Sequence, residues 1–190
     1  SDAPDGPYSL KVLAGDASAL VDDLGLTALS VIGVSLGGMV AQVLAAEMPD
    51  RIQRVVLSNT AERMGTSGMW ENRIAAVQSK GLASIADAVL DRWFAPGFGS
   101  GAGIALWRNM LIRTPAKGYA GCCKALAEAD LGAVSPRIGC PTLVVGGSAD
   151  GASPPGIVRA LARAIPGAAY QEIDGVGHLP MAEAPARFAR

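Results

Sequence analysis

The feature that most restricts the possible folds is a serine flanked by glycines, where a predicted strand meets a predicted helix. Residues 28–34 form an apolar run too short for a helix, which is typical of a strand covered on both faces in a parallel sheet. Residues 36–47 then carry Ala, Leu, Met, Val and Gln at helical spacing, and Pro49 closes that segment. The sequence Gly-Val-Ser-Leu-Gly at 33–37 spans the junction. This context predicts a strained turn that lifts the serine hydroxyl clear of the sheet.

Ser35 is therefore the candidate nucleophile. We expect Gly33 and Gly37 to be required, because side chains two residues either side of the serine would collide with it. Leu36 begins the helix, whose N-terminal amides point towards the charge that develops on a carbonyl oxygen during attack. Its N–H is the candidate oxyanion donor. The alternative is a glycine-rich turn in which the serine only caps the helix.

The candidate general base is His178, the one histidine of the chain. A serine hydroxyl needs a base within hydrogen-bond reach and a group that orients this base. A single histidine is more often a structural residue than a catalyst. His178, however, follows a predicted strand at 168–173, at the carboxyl end where open α/β sheets bind their ligands.

Two aspartates compete for the role of the orienting acid. Asp150 follows a predicted strand at 141–147, and its carboxylate could accept the imidazole N–H and fix the tautomer of the ring. Asp174 is the main competitor, and a plain turn or helix-cap role for Asp150 is the structural alternative, since Asp favours both positions. The order Ser35, Asp150, His178 is that of the α/β-hydrolase triad, which favours Asp150.

Strand and helix patterns alternate in both halves of the chain, and a helical stretch separates them. A second short strand at 54–57 completes a strand–helix–strand unit, which implies a parallel sheet with helices on its faces. From residue 62 to 131 the patterns are helical, broken by Gly and Pro clusters. We therefore expect an α/β core formed by residues 1–61 and 136–190, with a helical cap at 62–135.

Apolar spacing also predicts the individual helices. A short amphipathic helix from Asp16 to Leu24, with Asp16 as its N-cap, is expected to end at Gly25. The other predicted helices lie at 69–78, 82–94, 104–112, 116–129 and 154–165.

Charge and composition exclude several classes of partner. Sixteen basic and seventeen acidic residues give a net charge of −1, and the basic residues are scattered, so nucleic acid is not an expected partner. The apolar stretches fall short of the roughly 20 residues of a membrane helix, and residues 1–7 lack a signal-peptide pattern. We expect a cytoplasmic protein without a membrane partner. Cys122, Cys123 and Cys140 form no C-x-x-C pair and are expected to be reduced, buried thiols.

Taken together, these motifs make the chain resemble the 3-oxoadipate enol-lactonases of the α/β-hydrolase superfamily. The serine turn and the histidine loop are shared by many esterases, whereas Asn59-Thr60 and Met69-Trp70 are more particular to the resemblance. The likeness spans nearly the whole chain and includes Ser1-Asp2-Ala3-Pro4, Gly6-Pro7-Tyr8, 57–61, 73–76, 92–94, 141–145 and 177–179.

The chain departs from the family pattern at its start. Family members carry several strands before the segment that matches residues 1–4, including the loop that donates the second oxyanion-hole amide. We therefore expect an α/β-hydrolase fold, a mostly parallel sheet flanked by helices with an inserted helical cap, that is truncated at its N-terminus. The helix ending at Arg190 is expected to be shortened too. Loss of one oxyanion donor typically lowers kcat by a factor on the order of 10² to 10³, and a missing sheet edge would expose apolar strand surface.

The resemblance implies hydrolysis of 3-oxoadipate enol-lactone to 3-oxoadipate, through an acyl-enzyme on Ser35 and without a metal or organic cofactor. Such a small-molecule substrate carries a carboxylate, which calls for a cation or an indole N–H in the cap. Trp70 and Arg73 are the favoured substrate-binding residues, because they adjoin the family-like Met69-Trp70 stretch. The other candidates in the cap are Arg92, Trp93, Trp107, Arg108 and Arg113.

Three other functions stay open at this point. A general carboxylesterase or a perhydrolase-type relative would use the same triad on a neutral substrate. An acyltransferase would transfer the acyl group to an alcohol or amine in preference to water. A non-catalytic protein of the same fold would bind a small ligand or a partner.

Overall fold

The computed structural model describes residues 2–5, 8–99 and 102–189. Gly6-Pro7 of the family-like N-terminal stretch and the predicted terminal helical residue Arg190 lie outside the described residues, as does Ser1. Four strands form a parallel sheet in the order in which they occur along the chain. They are β1 (Leu29–Val34), β2 (Ile52–Ser58), β3 (Thr142–Gly147) and β4 (Ala169–Ile173). All four carboxyl ends therefore meet at one edge of the sheet.

Helices pack on both faces of this sheet. Helices α2 (Leu36–Glu47) and α7 (Pro155–Ala164) bury one face in a core that includes Val55, Leu57 and Val144. On the opposite face, Val145 and Ile173 contact the C-terminal segment around Val176 and Phe188. That segment contains the short helices α8 (Pro180–Glu183) and α9 (Pro185–Phe188). The predicted parallel sheet flanked by helices is confirmed.

Between β2 and β3 the described part of the chain consists of helices joined by loops and contains no strand. It contains α3 (Ser67–Lys80), a 3₁₀ turn (Leu82–Ser84), α4 (Ala86–Trp93), α5 (Ala102–Arg113), α6 (Ala116–Glu128) and a second 3₁₀ turn (Ser135–Arg137). Val77, Val89 and Leu111 share a small core of their own, so this cap does not depend on the sheet alone for its packing. The boundaries assigned to the cap, residues 62 and 135, stay a prediction.

The first helix starts earlier than predicted. Helix α1 spans Leu10–Asp23, and Ser9 caps it by accepting a hydrogen bond from the Val12 N–H at 3.2 Å. The predicted N-cap, Asp16, lies inside the helix, because a competent cap, Ser9, is available seven residues upstream. The predicted end is correct, since Gly25 adopts a positive φ of 63° just after the helix.

Strand β1 is only partly covered, contrary to the expectation from its apolar run. It lies at an edge of the four-stranded sheet, and the side chain of Ile32 is 64% exposed. The neighbouring Val31 packs against the core under α2, so coverage is one-sided. An apolar run does not reveal which strand lies at an edge, because this depends on how the sheet is assembled.

Two smaller expectations from the sequence can also be compared with the structure. No helix within the described ranges is long and apolar enough to cross a membrane. All three cysteines are free thiols, but only Cys123 is buried, whereas Cys122 and Cys140 are half-buried. Burial raises the pKa of the Cys123 thiol to about 11, so it stays protonated at neutral pH.

Candidate active site

The serine turn has the strained backbone that its sequence predicts. Ser35 follows β1 and precedes α2 with φ 56° and ψ −122°, a region that residues with a side chain rarely adopt. Its N–H donates to the Ser58 carbonyl at 3.0 Å, and its carbonyl accepts the Thr60 hydroxyl at 2.7 Å and the Gly38 N–H at 2.9 Å. These bonds hold the turn in a conformation that it would not keep alone.

Only one of the two flanking glycines is required by close contacts. A Cβ on Gly33 would lie 2.3 Å from the carbonyl oxygen of Gly37, so no side chain fits at position 33. A Cβ on Gly37 would meet nothing within 4 Å, and the expectation that Gly37 prevents a collision is wrong. The second close approach is at Gly38, where a Cβ would lie 2.6 Å from Cγ2 of Thr60.

His178 and Asp150 form a buried hydrogen-bonded pair. Nδ1 of His178 lies 2.8 Å from Oδ2 of Asp150, and the two residues are 3% and 4% exposed. Asp174 is exposed and instead accepts a hydrogen bond from the Ser148 hydroxyl at 3.0 Å. The structure thus brings Asp150, not Asp174, to the imidazole. With Nδ1 occupied, Nε2 is the nitrogen left for a serine hydroxyl.

The Asp150 carboxylate accepts five hydrogen bonds. Besides His178, Oδ2 accepts from Asn59 Nδ2 at 2.8 Å and from the Ser153 hydroxyl at 2.6 Å. Oδ1 accepts the backbone N–H groups of Ala152 and Ser153 at 2.7 and 2.9 Å. Burial, the largest single influence, pushes the pKa of Asp150 upward, but the bonds from these partners hold its pKa below the ordinary value. The group is therefore ionised at neutral pH and can stabilise a charged imidazole.

Asn59 is a buried site residue for which the sequence suggested no role. It directly follows β2 with a positive φ of 48°. Its side-chain N–H₂ donates to Asp150 and, at 3.1 Å, to the carbonyl of Gly177, while its Oδ1 accepts the Ser58 hydroxyl at 2.7 Å. Asn59 therefore ties together the loops that follow β2, β3 and β4. Asparagine tolerates the left-handed conformation better than most residues, which suits this position.

Ser153 is a second residue that the sequence analysis missed. Its hydroxyl is fully buried and lies 3.1 Å from Nδ1 of His178 as well as close to Asp150. A sequence signal existed, because Asp followed by Ser three residues later is typical of a turn closed by the aspartate side chain. That signal predicts a capped turn and does not predict contact with a histidine from another strand.

Most of the predicted site residues line one small cavity. It has a volume of about 40 Å³ and is lined by Ser35, Met64, Trp70, Arg73, Val89, Arg92, Trp93, Ala152 and His178. Asp150 lies behind the imidazole, and Leu36 is the first residue of α2, where N–H groups have no partner inside the helix. A larger cavity of about 530 Å³ between Tyr8 and helices α3 and α6 contains none of the candidate catalytic residues. The candidate catalytic side chains, and not the volume of the cavity, therefore identify the candidate active site.

Trp70 and Arg73 both line the cavity, but they differ in what they offer a ligand. The indole N–H of Trp70 already donates to the Met64 carbonyl at 2.5 Å, so this N–H is not free for a substrate carboxylate. The Arg73 guanidinium lies 4.9 Å from the centre of the Trp70 ring. This cation–π contact holds the guanidinium beside the cavity.

Arg92 is a second cation at the same cavity. Its Nε donates to the Gly151 carbonyl at 3.0 Å, next to the Asp150 turn. Burial lowers the pKa of Arg92, repulsion from Arg73 lowers it further, and attraction to Asp150 opposes both. An arginine stays charged despite such a shift, so two guanidinium groups converge here.

Among the remaining cap candidates, Trp93 lines the cavity, whereas Trp107, Arg108 and Arg113 do not. Arg108 forms an ion pair with Asp87 at 2.8 Å, and the Trp107 ring packs 5.5 Å from that of Phe94. Arg113 is exposed at the end of α5.

Comparison with known proteins assigns the family. Over residues 1–190 the chain matches the model of the alpha/beta hydrolase family. The chain belongs to this family. The predicted α/β-hydrolase fold is thereby confirmed.

Two enol-lactonases are among the similar proteins. The chain is 39% identical to 3-oxoadipate enol-lactonase 2 of Acinetobacter baylyi over 152 residues, which cover 79% of this chain and 57% of that protein. The crystal structure of the enol-lactonase from Burkholderia xenovorans LB400 superposes with a TM-score of 0.95 at 38% identity, covering 98% of this chain and 72% of that chain. The predicted resemblance is confirmed. The chain spans little more than half the length of the curated enol-lactonases that it matches.

An esterase structure is also similar. A thermophilic esterase from Thermogutta terrifontis, solved with malate bound, matches with a TM-score of 0.90 and 31% identity, covering 98% of this chain and 71% of that chain.

Within this α/β-hydrolase, distance along the chain explains which site residues the sequence analysis missed. Ser35 and Leu36 belong to a local turn motif. Asn59 reaches Asp150, 91 positions away, and Ser153 reaches His178, 25 positions away. Asn59 had been noted as part of a family-like stretch, which was the one signal available for it.

Proposed function

We propose that this α/β-hydrolase opens a small enol-lactone that carries a carboxylate, with 3-oxoadipate enol-lactone as the substrate and 3-oxoadipate as the product. The observation that carries the proposal is the 2.8 Å bond between His178 and Asp150, beside the cavity that Ser35 also lines. The names of two similar proteins, 3-oxoadipate enol-lactonase 2 and the Burkholderia enol-lactonase, support the choice of substrate.

In the first half of the proposed reaction, the lactone becomes an ester of Ser35. The serine Oγ attacks the lactone carbonyl while Nε2 of His178 takes the hydroxyl proton, and the ionised Asp150 stabilises the resulting imidazolium. The Leu36 N–H donates to the oxygen that becomes negative. The ring C–O bond then breaks, and the leaving enolate takes the proton from the His178 imidazolium. Tautomerisation of the resulting enol gives the 3-oxo group and leaves His178 neutral. An enolate is a better leaving group than an ordinary alkoxide, so this step needs no metal ion.

In the second half, water releases the acyl group. Nε2 of His178 removes a proton from a water molecule, and the hydroxide attacks the Ser35 ester. Collapse of the intermediate returns the proton to the serine oxygen and frees the new carboxylate. The sum is one lactone plus one water giving one keto acid, and no cofactor takes part.

The substrate carboxylate is proposed to bind between Arg73 and Arg92. Both line the cavity beside Ser35, and within the described residues no carboxylate side chain forms an ion pair with either guanidinium. An anionic ligand would relieve the repulsion between the two cations. Trp70 would contribute its ring surface, because its N–H is occupied.

Two assays on the full-length protein test this proposal. Steady-state turnover of 3-oxoadipate enol-lactone should be detectable, and a fluorophosphonate should label Ser35. The Ser35→Ala variant is the control and should lose both. A protein that is labelled at Ser35 but does not open the lactone would retain the nucleophile and refute the substrate.

A general carboxylesterase is the second candidate, favoured by the 31% identity to the Thermogutta esterase. It would use the same triad on a neutral acyl ester. Comparing kcat/KM for the enol-lactone with that for a neutral ester of similar size separates the two functions. The enol-lactonase proposal requires the lactone to be the better substrate.

A further inference from the structure

One short segment of the cap, residues 92–95 at the end of α4, is bonded to both catalytic loops. The Arg92 carbonyl accepts the N–H of Gly151, the residue after Asp150, at 3.2 Å. The Trp93 carbonyl accepts the backbone N–H of His178 at 2.7 Å. The loops that carry the acid and the base are therefore each tied to the same piece of the cap.

Glu183 completes this connection with both oxygens of a single carboxylate. Oε2 accepts the backbone N–H of Ala95 in the cap at 3.0 Å, and Oε1 accepts that of Gly177, next to His178, at 2.9 Å. Hydrogen bonds to an ionised group are stronger than those between neutral groups. Glu183 thus joins two segments that are far apart in the chain and that the sequence analysis did not connect.

The histidine loop also has little room to move. A Cβ on Gly177 would lie 2.7 Å from the Trp93 carbonyl oxygen and 2.8 Å from both the Ala95 N and Glu183 Oε1. From the other side, a Cβ on Gly147 in β3 would lie 2.2 Å from the Gly177 carbonyl oxygen. The residue before His178 is therefore held between the sheet and the cap.

We propose that Glu183 is a positioning residue: its carboxylate locks the His178 loop to the cap segment 92–95, so that the imidazole keeps its catalytic orientation only while the cap is seated. This inference rests on the proposed hydrolytic function. Arg92 stands at the cavity in the same cap segment, so the group that would bind the substrate and the loop that carries the base move as one unit.

The chemistry of the two contacts selects the test variant. Both oxygens of Glu183 accept hydrogen bonds from backbone N–H groups. The Glu183→Gln variant keeps the shape of the side chain but places an N–H₂ group against one of these two donors, so that one hydrogen bond is lost. Small misplacements of a catalytic group lower rates by up to about 100-fold. We expect kcat for the enol-lactone to fall about tenfold in this variant, with KM within about twofold, since no substrate contact is removed.

The matched control is Asp174→Asn, which removes an acidic side chain from the loop between β4 and His178. Asp174 is exposed and bonds Ser148, away from the cap, so kcat should stay at the wild-type value. A tenfold fall in kcat in the control as well would mean that the loss of negative charge lowers the rate, and not the loss of the Glu183 hydrogen bonds. That result would overturn the proposal. Wild-type kcat in Glu183→Gln would overturn it equally.

Hydrogen exchange supplies a readout that does not depend on turnover. In Glu183→Gln and in Glu183→Ala of the full-length protein, the amides of residues 92–95 and 176–179 should exchange faster together, whereas those of β3 should not change. Faster exchange of the histidine loop alone would show that the cap is not coupled to it. If the wild-type protein hydrolyses neither the lactone nor the ester, the proposed function is wrong. Hydrogen exchange then still shows whether Glu183 couples the His178 loop to residues 92–95.

Discussion

The two sides of the cavity are built in different ways. On the sheet side, Asp150 and His178 are almost fully buried, and the carboxylate accepts five hydrogen bonds. On the cap side, Arg73 and Arg92 are half-buried, with a ring face and a backbone carbonyl as contacts. A satisfied buried network restricts geometry, whereas partly hydrated cations can adjust to a ligand. Under the proposed function, this difference predicts that variants on the sheet side change kcat, whereas variants on the cap side change KM.

The strongest test of the sheet side is the substitution Asp150→Asn. The amide would present either a donor or a weaker neutral acceptor to Nδ1, so the imidazole would lose the tautomer that leaves Nε2 free to accept a proton. We expect kcat for the lactone to fall about 10⁴-fold, with a far smaller change in KM. A loss of less than tenfold would show that Asp150 is not the orienting acid.

The Asn59→Ala variant tests how much the hydrogen bonds to the Asp150 carboxylate contribute to kcat. It removes one donor from the Asp150 carboxylate and one from the Gly177 carbonyl. A hydrogen bond to a charged group contributes about 1.5–3 kcal/mol, so kcat should fall about 10- to 100-fold. Asn72→Ala, at an exposed position of α3, is the control and should not alter kcat. An unchanged rate in Asn59→Ala would mean that the remaining bonds to Asp150 suffice.

The serine turn allows a test with two neighbouring glycines. Gly33→Ala forces a methyl group against the Gly37 carbonyl and should lower the free energy of unfolding by about 1–3 kcal/mol. Gly37→Ala meets open space and should leave stability within about 1 kcal/mol. Chemical denaturation measures both. Equal effects of the two substitutions would contradict the difference seen in the structure.

The mildest change is expected on the cap side. Arg73→Ala or Arg92→Ala removes one cation from the proposed carboxylate site and should raise KM for the enol-lactone about tenfold while changing kcat little. KM for a neutral ester of similar size should not change. Arg108→Ala, which breaks a surface ion pair with Asp87, is the control. If KM rises equally for the enol-lactone and the neutral ester, the arginines support the structure of the cap and do not recognise a carboxylate.

Prediction from sequence succeeded where the signal is local and failed where contacts are distant. The turn around Ser35, helix α2 and the strand before His178 follow from runs of apolar residues and glycines within a few positions of each other. The predicted start of α1 is wrong, because Asp and Ser are about equally good N-caps and the helix begins at the earlier one, Ser9. The expectation that β1 is covered on both faces is wrong at Ile32, because residues within one strand do not specify what packs on each of its faces.

The sequence by itself determined the parallel α/β order, the strained serine turn and the position of one histidine after the last described strand. Each of these depends on backbone preferences and apolar periodicity over short distances. Only the tertiary structure decided that Asp150, not Asp174, bonds the imidazole, that Asn59 and Ser153 surround the carboxylate, and that the Trp70 N–H is already occupied. Hydrogen bonds between loops from different strands depend on how those strands are placed side by side, which no single segment of the chain encodes.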